Sequence, residues 1–156
     1  MWAHYSSSRA QLHLPKKFET PHLGCYSVIV TEAAAIEMMI EHLKGLFPKT
    51  CPNCRKAYAT LREFYLNTTP VGNPISYDLE AGETKPQQPR GAVAVSNCVC
   101  GSPIALRSDG MALFRLWSLL LWAKAETKRR NITETQLLAD LRVKVRKKVV
   151  AETEPT

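Results

Sequence analysis

The chain has 156 residues, of which 45% are hydrophobic and 22% are charged. This balance is typical of a globular protein with a buried core, and it excludes collagen, a coiled-coil fibre and a wholly disordered chain. Lysine and arginine outnumber aspartate and glutamate by 21 to 14. The resulting net charge of +7 favours a polyanionic partner.

The N-terminal region is polar before a short apolar segment. Residues 1–20 are predicted to form a loosely held arm, and they lack the basic stretch and apolar run of a secretory signal. A reducing cytoplasm is therefore the expected setting. Residues 25–30 are β-branched and aromatic, which predicts a buried strand. Cys25 begins this strand and is favoured as a small core residue, although metal ligation together with His22 stays open.

A zinc-stapled α+β domain is predicted over 21–108. Thr31 can cap a helix that ends at Pro48, and its apolar face is Ile36, Met39, Ile40, Leu43 and Phe47. A second apolar pattern, Tyr58, Leu61, Phe64 and Tyr65, fits one helix face, with a strand pair as the alternative. Residues 67–91 contain four prolines and three glycines, which predicts a long loop. Residues 92–96 are then predicted to form a strand.

The C-terminal third is predicted to be a helical hairpin over 109–149, followed by a polar tail at 150–156. The first helix is expected to end at Asn131, before the second helix begins. Thr133 and Gln136 have the spacing of a capping box, in which each side chain binds a free backbone amide at the start of the second helix.

The most apolar stretch of the chain lies within the first helix of this hairpin. It covers residues 111–125, and it contains Arg115 and Lys124. About 20 apolar residues are needed to span a bilayer, so this stretch predicts a core helix and no membrane span. Large apolar side chains such as Trp117 and Leu121 also suggest that one face of this helix docks on a partner protein.

Two pairs of cysteines carry the strongest chemical signal in the sequence. Cys51 and Cys54 are separated by two residues, and Cys98 and Cys100 by one. Zinc prefers four such ligands in a tetrahedron, and a site made only of thiolates leaves no open position for a substrate. The pattern therefore predicts a structural Zn²⁺ site at these four residues.

Two other interpretations of the cysteines remain. The first pair could be a thioredoxin-like redox motif, because Cys-Pro-Asn-Cys follows a predicted strand and helix. Alternatively, the two pairs could be buried in unrelated places. A redox motif would leave the second pair, which lies beside Gly101, without a role.

The paired cysteines at 51, 54, 98 and 100 resemble those of zinc-ribbon and treble-clef zinc fingers. The fold class expected from this resemblance is α+β: a small zinc-finger domain with a C-terminal basic helical hairpin. A small basic protein with this layout also looks like the zinc-finger subunit of type IV CRISPR effector complexes. That likeness implies a role in guide-RNA-directed DNA binding.

The basic residues are concentrated towards the C-terminal end. Residues 124–148 carry a net charge of +6, which is what phosphate binding requires, although a solvated helix surface is the alternative. A second candidate surface has aromatic and basic residues near the first cysteine pair, at Tyr58 and Tyr65, with burial of both tyrosines in the core as the equal alternative. The candidate nucleic-acid-binding residues are Arg55, Lys56, Arg62, Lys128, Arg129, Arg130, Arg142, Arg146, Lys147 and Lys148.

The sequence lacks the phosphate-binding loop, dinucleotide fingerprint and zinc-protease motifs that would indicate an enzyme. The acidic residues of the 67–91 segment are Asp78, Glu80 and Glu83, and they are expected to be solvated. The expected function is therefore nucleic-acid binding, to RNA or DNA. The protein would act as a non-catalytic subunit or regulator of a larger nucleoprotein complex with other protein subunits.

The alternative function is that of a protein-interaction adaptor or inhibitor. In that case the zinc is purely structural, and the apolar helix docks on a partner protein. The positive charge then serves solubility or an acidic protein surface.

Overall fold

A computed structural model describes residues 30–80 and 89–152. In chain order the elements are α1 (Glu32–Lys44), β1 (Lys49–Thr50), β2 (Ala57–Tyr58), α2 (Leu61–Leu66), β3 (Thr69–Ser76), α3 (Tyr77–Glu80), β4 (Ala92–Asn97), β5 (Pro103–Arg107), α4 (Leu113–Arg130) and α5 (Glu134–Ala151). The polar arm at 1–20, His22, Cys25 and the predicted strand before Val30 lie outside the described residues.

The structure is a mixed α/β fold with two small antiparallel sheets. Strands β1 and β2 form a two-stranded hairpin, and β3, β4 and β5 form a three-stranded sheet in that order. In this larger sheet Val93 of β4 pairs with Arg107 of β5. Each hairpin therefore brings one cysteine pair to its turn, Cys51 and Cys54 between β1 and β2, and Cys98 and Cys100 between β4 and β5.

The prediction of a long loop over 67–91 is wrong for its first half. Thr69–Ser76 forms β3, which pairs with β4 along most of its length, and Tyr77–Glu80 forms α3. The pairing register shifts between Val71 and Ile75, and Gly72 between them has a φ of 57°. This irregularity accommodates the proline- and glycine-rich sequence without ending the strand.

The predicted helix caps are confirmed. The Thr31 side chain accepts a hydrogen bond from the N–H of Ala34 at the start of α1. Thr133 and Gln136 form the reciprocal capping box at the start of α5. Asn131 ends α4 in the left-handed conformation, with a φ of 52°. Helix α5 continues to Ala151, so the predicted tail at 150–156 begins two residues too early.

One hydrophobic core joins α5 to the cysteine-bearing hairpins. Phe64 and Tyr58 are fully buried at its centre, with their ring centroids 5.3 Å apart. Val145 and Val149 of α5 belong to the same buried cluster as Cys51. The second helix of the predicted hairpin is therefore part of the core that surrounds the cysteines.

A smaller core forms where α4 meets α5 and α1. Ala123, Leu137 and Leu141 are buried in it, and Ile36 and Met39 of α1 pack against them. Arg115 of α4 forms an ion pair of 2.8 Å with Glu41 of α1. Among the described residues, no helix is both long and apolar enough to cross a membrane.

Candidate metal centre and the surrounding surfaces

The four cysteines predicted as metal ligands converge on one point. Their sulfur atoms all lie within 4.8 Å of one another. The Sγ atoms of Cys51 and Cys100 are 3.6 Å apart, as are those of Cys54 and Cys98. Thiolates bound to zinc at about 2.3 Å in a tetrahedron would be about 3.8 Å apart. The cluster, formed across two hairpins, has the geometry to bind a metal ion, and the interpretation as two unrelated pairs is wrong.

Each hairpin turn has the backbone geometry that such a site needs. In the first turn Cys51 donates its N–H to the Lys56 carbonyl at 2.9 Å, and Arg55 has a φ of 64°. In the second turn Cys98 donates to the Ser102 carbonyl at 2.9 Å, and Gly101 has a φ of 85°. A left-handed residue after the second cysteine of each pair lets the chain curl back, so that backbone amides face the sulfur atoms.

Hydrogen-bond donors surround the sulfur atoms. The N–H of Lys56 points at Cys54, and Ser102 donates both its N–H and its hydroxyl to Cys100. The phenol of Tyr58 donates to the Sγ of Cys98 at 3.0 Å. Burial and this contact raise the pKa of Tyr58, so the phenol stays protonated as a donor. Donors of this kind stabilise thiolates and fix their orientation towards a metal.

The thiols differ in their readiness to lose a proton. The donors of Ser102 lower the pKa of Cys100 to about 5. The Lys56 amide lowers the pKa of Cys54, but its contacts with Cys100 and the other thiols together with burial raise the net value to about 11. Cys54 therefore carries a proton at neutral pH when no cation is present. Binding of a divalent metal displaces such protons, so metal affinity should rise with pH.

The donor set and its enclosure indicate a structural metal site. Cys51 and Cys98 are buried, while Cys54 and Cys100 are on the surface side. Four sulfur ligands complete a tetrahedral shell and leave no position for a substrate. The residues present fit zinc, because a thiolate tetrad is the donor set that zinc prefers for structural sites.

Two of the candidate nucleic-acid residues support the fold instead of lying on its surface. Arg142 donates to the carbonyls of Gly72 (2.8 Å) and Val95, which joins α5 to strands β3 and β4. Arg146 donates to the carbonyl of Tyr65 at 2.6 Å. A guanidinium with its donors used in this way has little capacity left for a phosphate.

Most of the other basic residues on the helices have acidic partners. Arg129 binds Glu126 through two nitrogen atoms, at 2.6 and 2.8 Å. Arg130 forms an ion pair of 3.0 Å with Asp140. Lys148 pairs with Glu37 of α1. Glu126 and Asp140 are already counted in the net charge of +6 over 124–148, so only Glu32 and Glu37 of α1 offset it from outside. The segment stays basic in the fold, although many of its side chains are held in ion pairs.

The remaining candidates lie near the first hairpin or at exposed helix positions. Arg62 donates to the carbonyl of Val150 at 3.4 Å, and Lys56 to the side chain of Asn67 at 3.3 Å. Within the described part of the chain, three of the ten candidates have neither an ion pair nor a hydrogen-bonded side chain: Arg55, Lys128 and Lys147. Tyr58 and Tyr65, proposed as stacking residues, are buried in the core, so the aromatic face predicted there is wrong.

Helix α4 has two apolar faces. Leu116, Leu120 and Ala123 are buried on one side. On the neighbouring, outward side Leu113, Phe114 and Leu121 are 52%, 69% and 60% exposed. The sequence already indicated such a face, because a helix whose large apolar residues extend beyond its buried side must be covered there as well or bind a partner.

Sequence reasoning missed a cavity of about 160 Å³ between α4, α1, α5 and the larger sheet. Its lining comes from residues far apart in the chain, and no local motif marks it. Comparisons with known protein families, with curated proteins and with solved structures find no match for this chain. Conclusions about its function therefore rest on the geometry of the metal site, the surfaces of α4 and the cavity.

Proposed function

We propose that this protein is a metal-stapled interaction module, in which the outward face of α4 binds a partner protein. The observation that carries this proposal is the exposed apolar stripe formed by Leu113, Phe114, Trp117 and Leu121, at which Trp117 is half-buried and the others are exposed. Contiguous apolar patches of this kind mark protein interaction sites on soluble proteins.

The geometry of α4 suits docking. Leu113, Trp117 and Leu121 are four residues apart, and Phe114 precedes Trp117 by three, so the four project from one side of the helix. The adjoining side is fixed to the molecule by Leu116 and Leu120, and the ion pair of Arg115 with Glu41 ties the helix to α1. A rigid helix that presents aromatic and aliphatic side chains loses little conformational freedom on binding.

The composition of the helix also indicates the chemistry of the partner. The stripe continues along the same side of α4 to the exposed Lys128. A matching surface is an apolar groove with acidic residues at one end. Binding in this mode would follow the helix-in-groove pattern, with anchors one helical turn apart.

This proposal is tested by a pair of matched double variants. Phe114→Glu with Leu121→Glu removes the stripe, and Leu66→Glu with Val143→Glu adds the same charges at apolar sites of similar exposure elsewhere. The tagged proteins are expressed in their native cells, and co-purifying proteins are quantified by mass spectrometry. The amount of one specific partner recovered with the stripe variant is expected to fall at least about tenfold, since buried aromatic anchors dominate interface energies.

The control variant should retain that partner, and all three proteins should melt at similar temperatures. Equal recovery of every co-purifying protein with the stripe variant would contradict the proposal.

Nucleic-acid binding is a second candidate, and one observation favours it. The β1–β2 hairpin carries Lys49, Arg55 and Lys56 with no acidic residue between positions 49 and 58. Arg55 is exposed at the tip of the turn, beside the metal site. A nucleoprotein assembly, which the resemblance to the type IV CRISPR zinc-finger subunit implies, would use such a hairpin to contact phosphates.

This candidate predicts a specific change in salt dependence. Lys49→Glu with Arg55→Glu should weaken binding to labelled RNA or DNA and reduce the slope of log affinity against log salt by about two. Lys128→Glu with Lys147→Glu makes the same charge change on the helices and serves as the control. Identical slopes for both pairs would rule out the hairpin as the phosphate-binding site, and an absence of binding at 50 mM salt would rule out this function for the isolated chain.

A further inference from the structure

The cavity beneath α4 lies apart from the metal site and from the outward stripe. It is partly open to solvent, and α4 forms one of its walls through Leu116, Leu120 and Ala123. The opposite wall comes from strands β4 and β5, including Val93 and Leu106. Small-molecule sites in proteins are concave and mostly apolar, and this partly open cavity of about 160 Å³ has that character.

Most polar groups in the lining already have partners. The carboxylate of Asp78 accepts the N–H groups of Arg90 and Gly91 at 2.7 to 3.0 Å. His42 Nε2 is 3.0 Å from the carbonyl of Arg107. Arg142, as described above, binds backbone carbonyls, and its charge is opposite to that of Asp78 at the same cavity. Asp78 and Arg142 use their hydrogen bonds on neutral backbone groups, and their opposite charges offset each other at the same cavity, which favours a ligand without net charge.

Tyr65 differs from these groups. It lines the cavity and is only 6% exposed as a residue, and no hydrogen bond joins its hydroxyl to another described residue. Every fully buried side-chain nitrogen or oxygen of the described residues has a partner, so this hydroxyl keeps access to solvent. A phenol at the wall of a cavity can donate to an oxygen or nitrogen of a ligand placed there.

We propose that this cavity binds a small, neutral, mostly apolar molecule that carries one hydrogen-bond acceptor for the Tyr65 hydroxyl. Its volume is similar to that of engineered protein cavities of about 150 Å³ that bind benzene, so the ligand is about the size of one substituted aromatic ring. Met39 and Met111 line the same space, and their unbranched side chains adapt to ligands of different shape.

Two probes of nearly the same shape separate the apolar and polar parts of this proposal. Acetophenone carries one acceptor oxygen, whereas ethylbenzene has none. Both are expected to bind the zinc-loaded full chain saturably, as measured by the rise in melting temperature and the change in Trp122 fluorescence, since Trp122 lines the cavity. Tyr65→Phe should weaken acetophenone binding about five- to tenfold and leave ethylbenzene binding unchanged.

A filling variant locates the site. Ala123→Leu places extra carbon atoms in the cavity and should abolish binding of both probes. Ala125→Leu, on the exposed side of the same helix, should not alter it. If Ala123→Leu lowers the melting temperature of the unliganded protein, Ala123→Val tests the same point with a smaller side chain.

Three results would overturn the proposal: no saturable binding of either probe to the wild type, full affinity in the folded filling variant, or equal loss of both probes in Tyr65→Phe.

Discussion

A protein in which Cys98 is replaced by serine is expected neither to bind zinc nor to unfold cooperatively. Cys98 is buried, its sulfur lies 3.6 Å from that of Cys54, and it accepts the hydrogen bond of Tyr58. A structural zinc contributes roughly 10–16 kcal/mol in zinc-finger peptides, which is comparable to or larger than the total stability of a domain, about 5–15 kcal/mol. A serine hydroxyl does not ionise at neutral pH and cannot replace the thiolate.

Metal content per chain and thermal unfolding followed by circular dichroism measure this effect. The wild type should hold one zinc ion per chain and should lose its unfolding transition after treatment with a strong chelator. Val99→Ala is the control, because Val99 lies between Cys98 and Cys100 but its side chain is 71% exposed and cannot bind a metal. A redox role for the first cysteine pair would instead leave Cys54→Ser folded, with an unchanged melting temperature, and that result would contradict the zinc interpretation.

A chain that ends at Asn131, and so lacks α5, is expected to be unfolded even with zinc present. Helix α5 buries Leu137, Leu141, Val145 and Val149. Each such side chain contributes about 1.5–3 kcal/mol on burial, so their loss removes roughly 6–12 kcal/mol, about as much as the whole domain stability. The hydrogen bonds of Arg142 to strands β3 and β4 are lost as well.

The measurement is the dispersion of the amide NMR spectrum together with the cooperativity of thermal unfolding. Val143→Ser in the full chain is the control, since Val143 is 64% exposed on the same helix, and it should change stability little. A truncated chain that keeps a dispersed spectrum and one bound zinc would show that the helical hairpin is an independent appendage.

Local signals in the sequence were sufficient for some elements. The caps at Thr31 and Thr133 were predictable because the hydroxyl and the amides that it satisfies are within three residues of each other. The metal site was predictable because each cysteine pair forms its own tight turn. The separation of 44 residues between Cys54 and Cys98 did not prevent this prediction. Tetrahedral coordination needs four ligands, so two pairs of cysteines are expected to meet at one ion.

Strand β3 was not predictable from its composition, because Pro70, Gly72 and Pro74 normally interrupt strands. It is an edge strand in the order β3–β4–β5, so a proline there costs no hydrogen bond on its open side. The sequence does not show which strand is at the edge, and that information decides whether proline is tolerated.

The roles of the basic residues were also hidden from sequence reasoning. Arg142 and Lys147 have the same charge and lie five positions apart on α5. Arg142 turns inward to backbone carbonyls, whereas Lys147 is exposed. A basic side chain that is bonded to neutral carbonyls still counts as one positive charge, although its donors are no longer free for phosphate. The net charge of a segment therefore overstates its capacity to bind phosphate.

The joining of α5 to the core around the cysteines has a consequence for biosynthesis. The ribosome makes all four cysteines before it makes either α4 or α5, because Cys100 precedes Leu113 in the chain. Metal captured by the nascent chain would link the two cysteine pairs without completing the fold, because the core to which Val145 and Val149 belong is still open. Until α5 emerges, this surface is available to chaperones and proteases. The yield of native protein is therefore expected to depend on the metal supply as well as on the completion of α5.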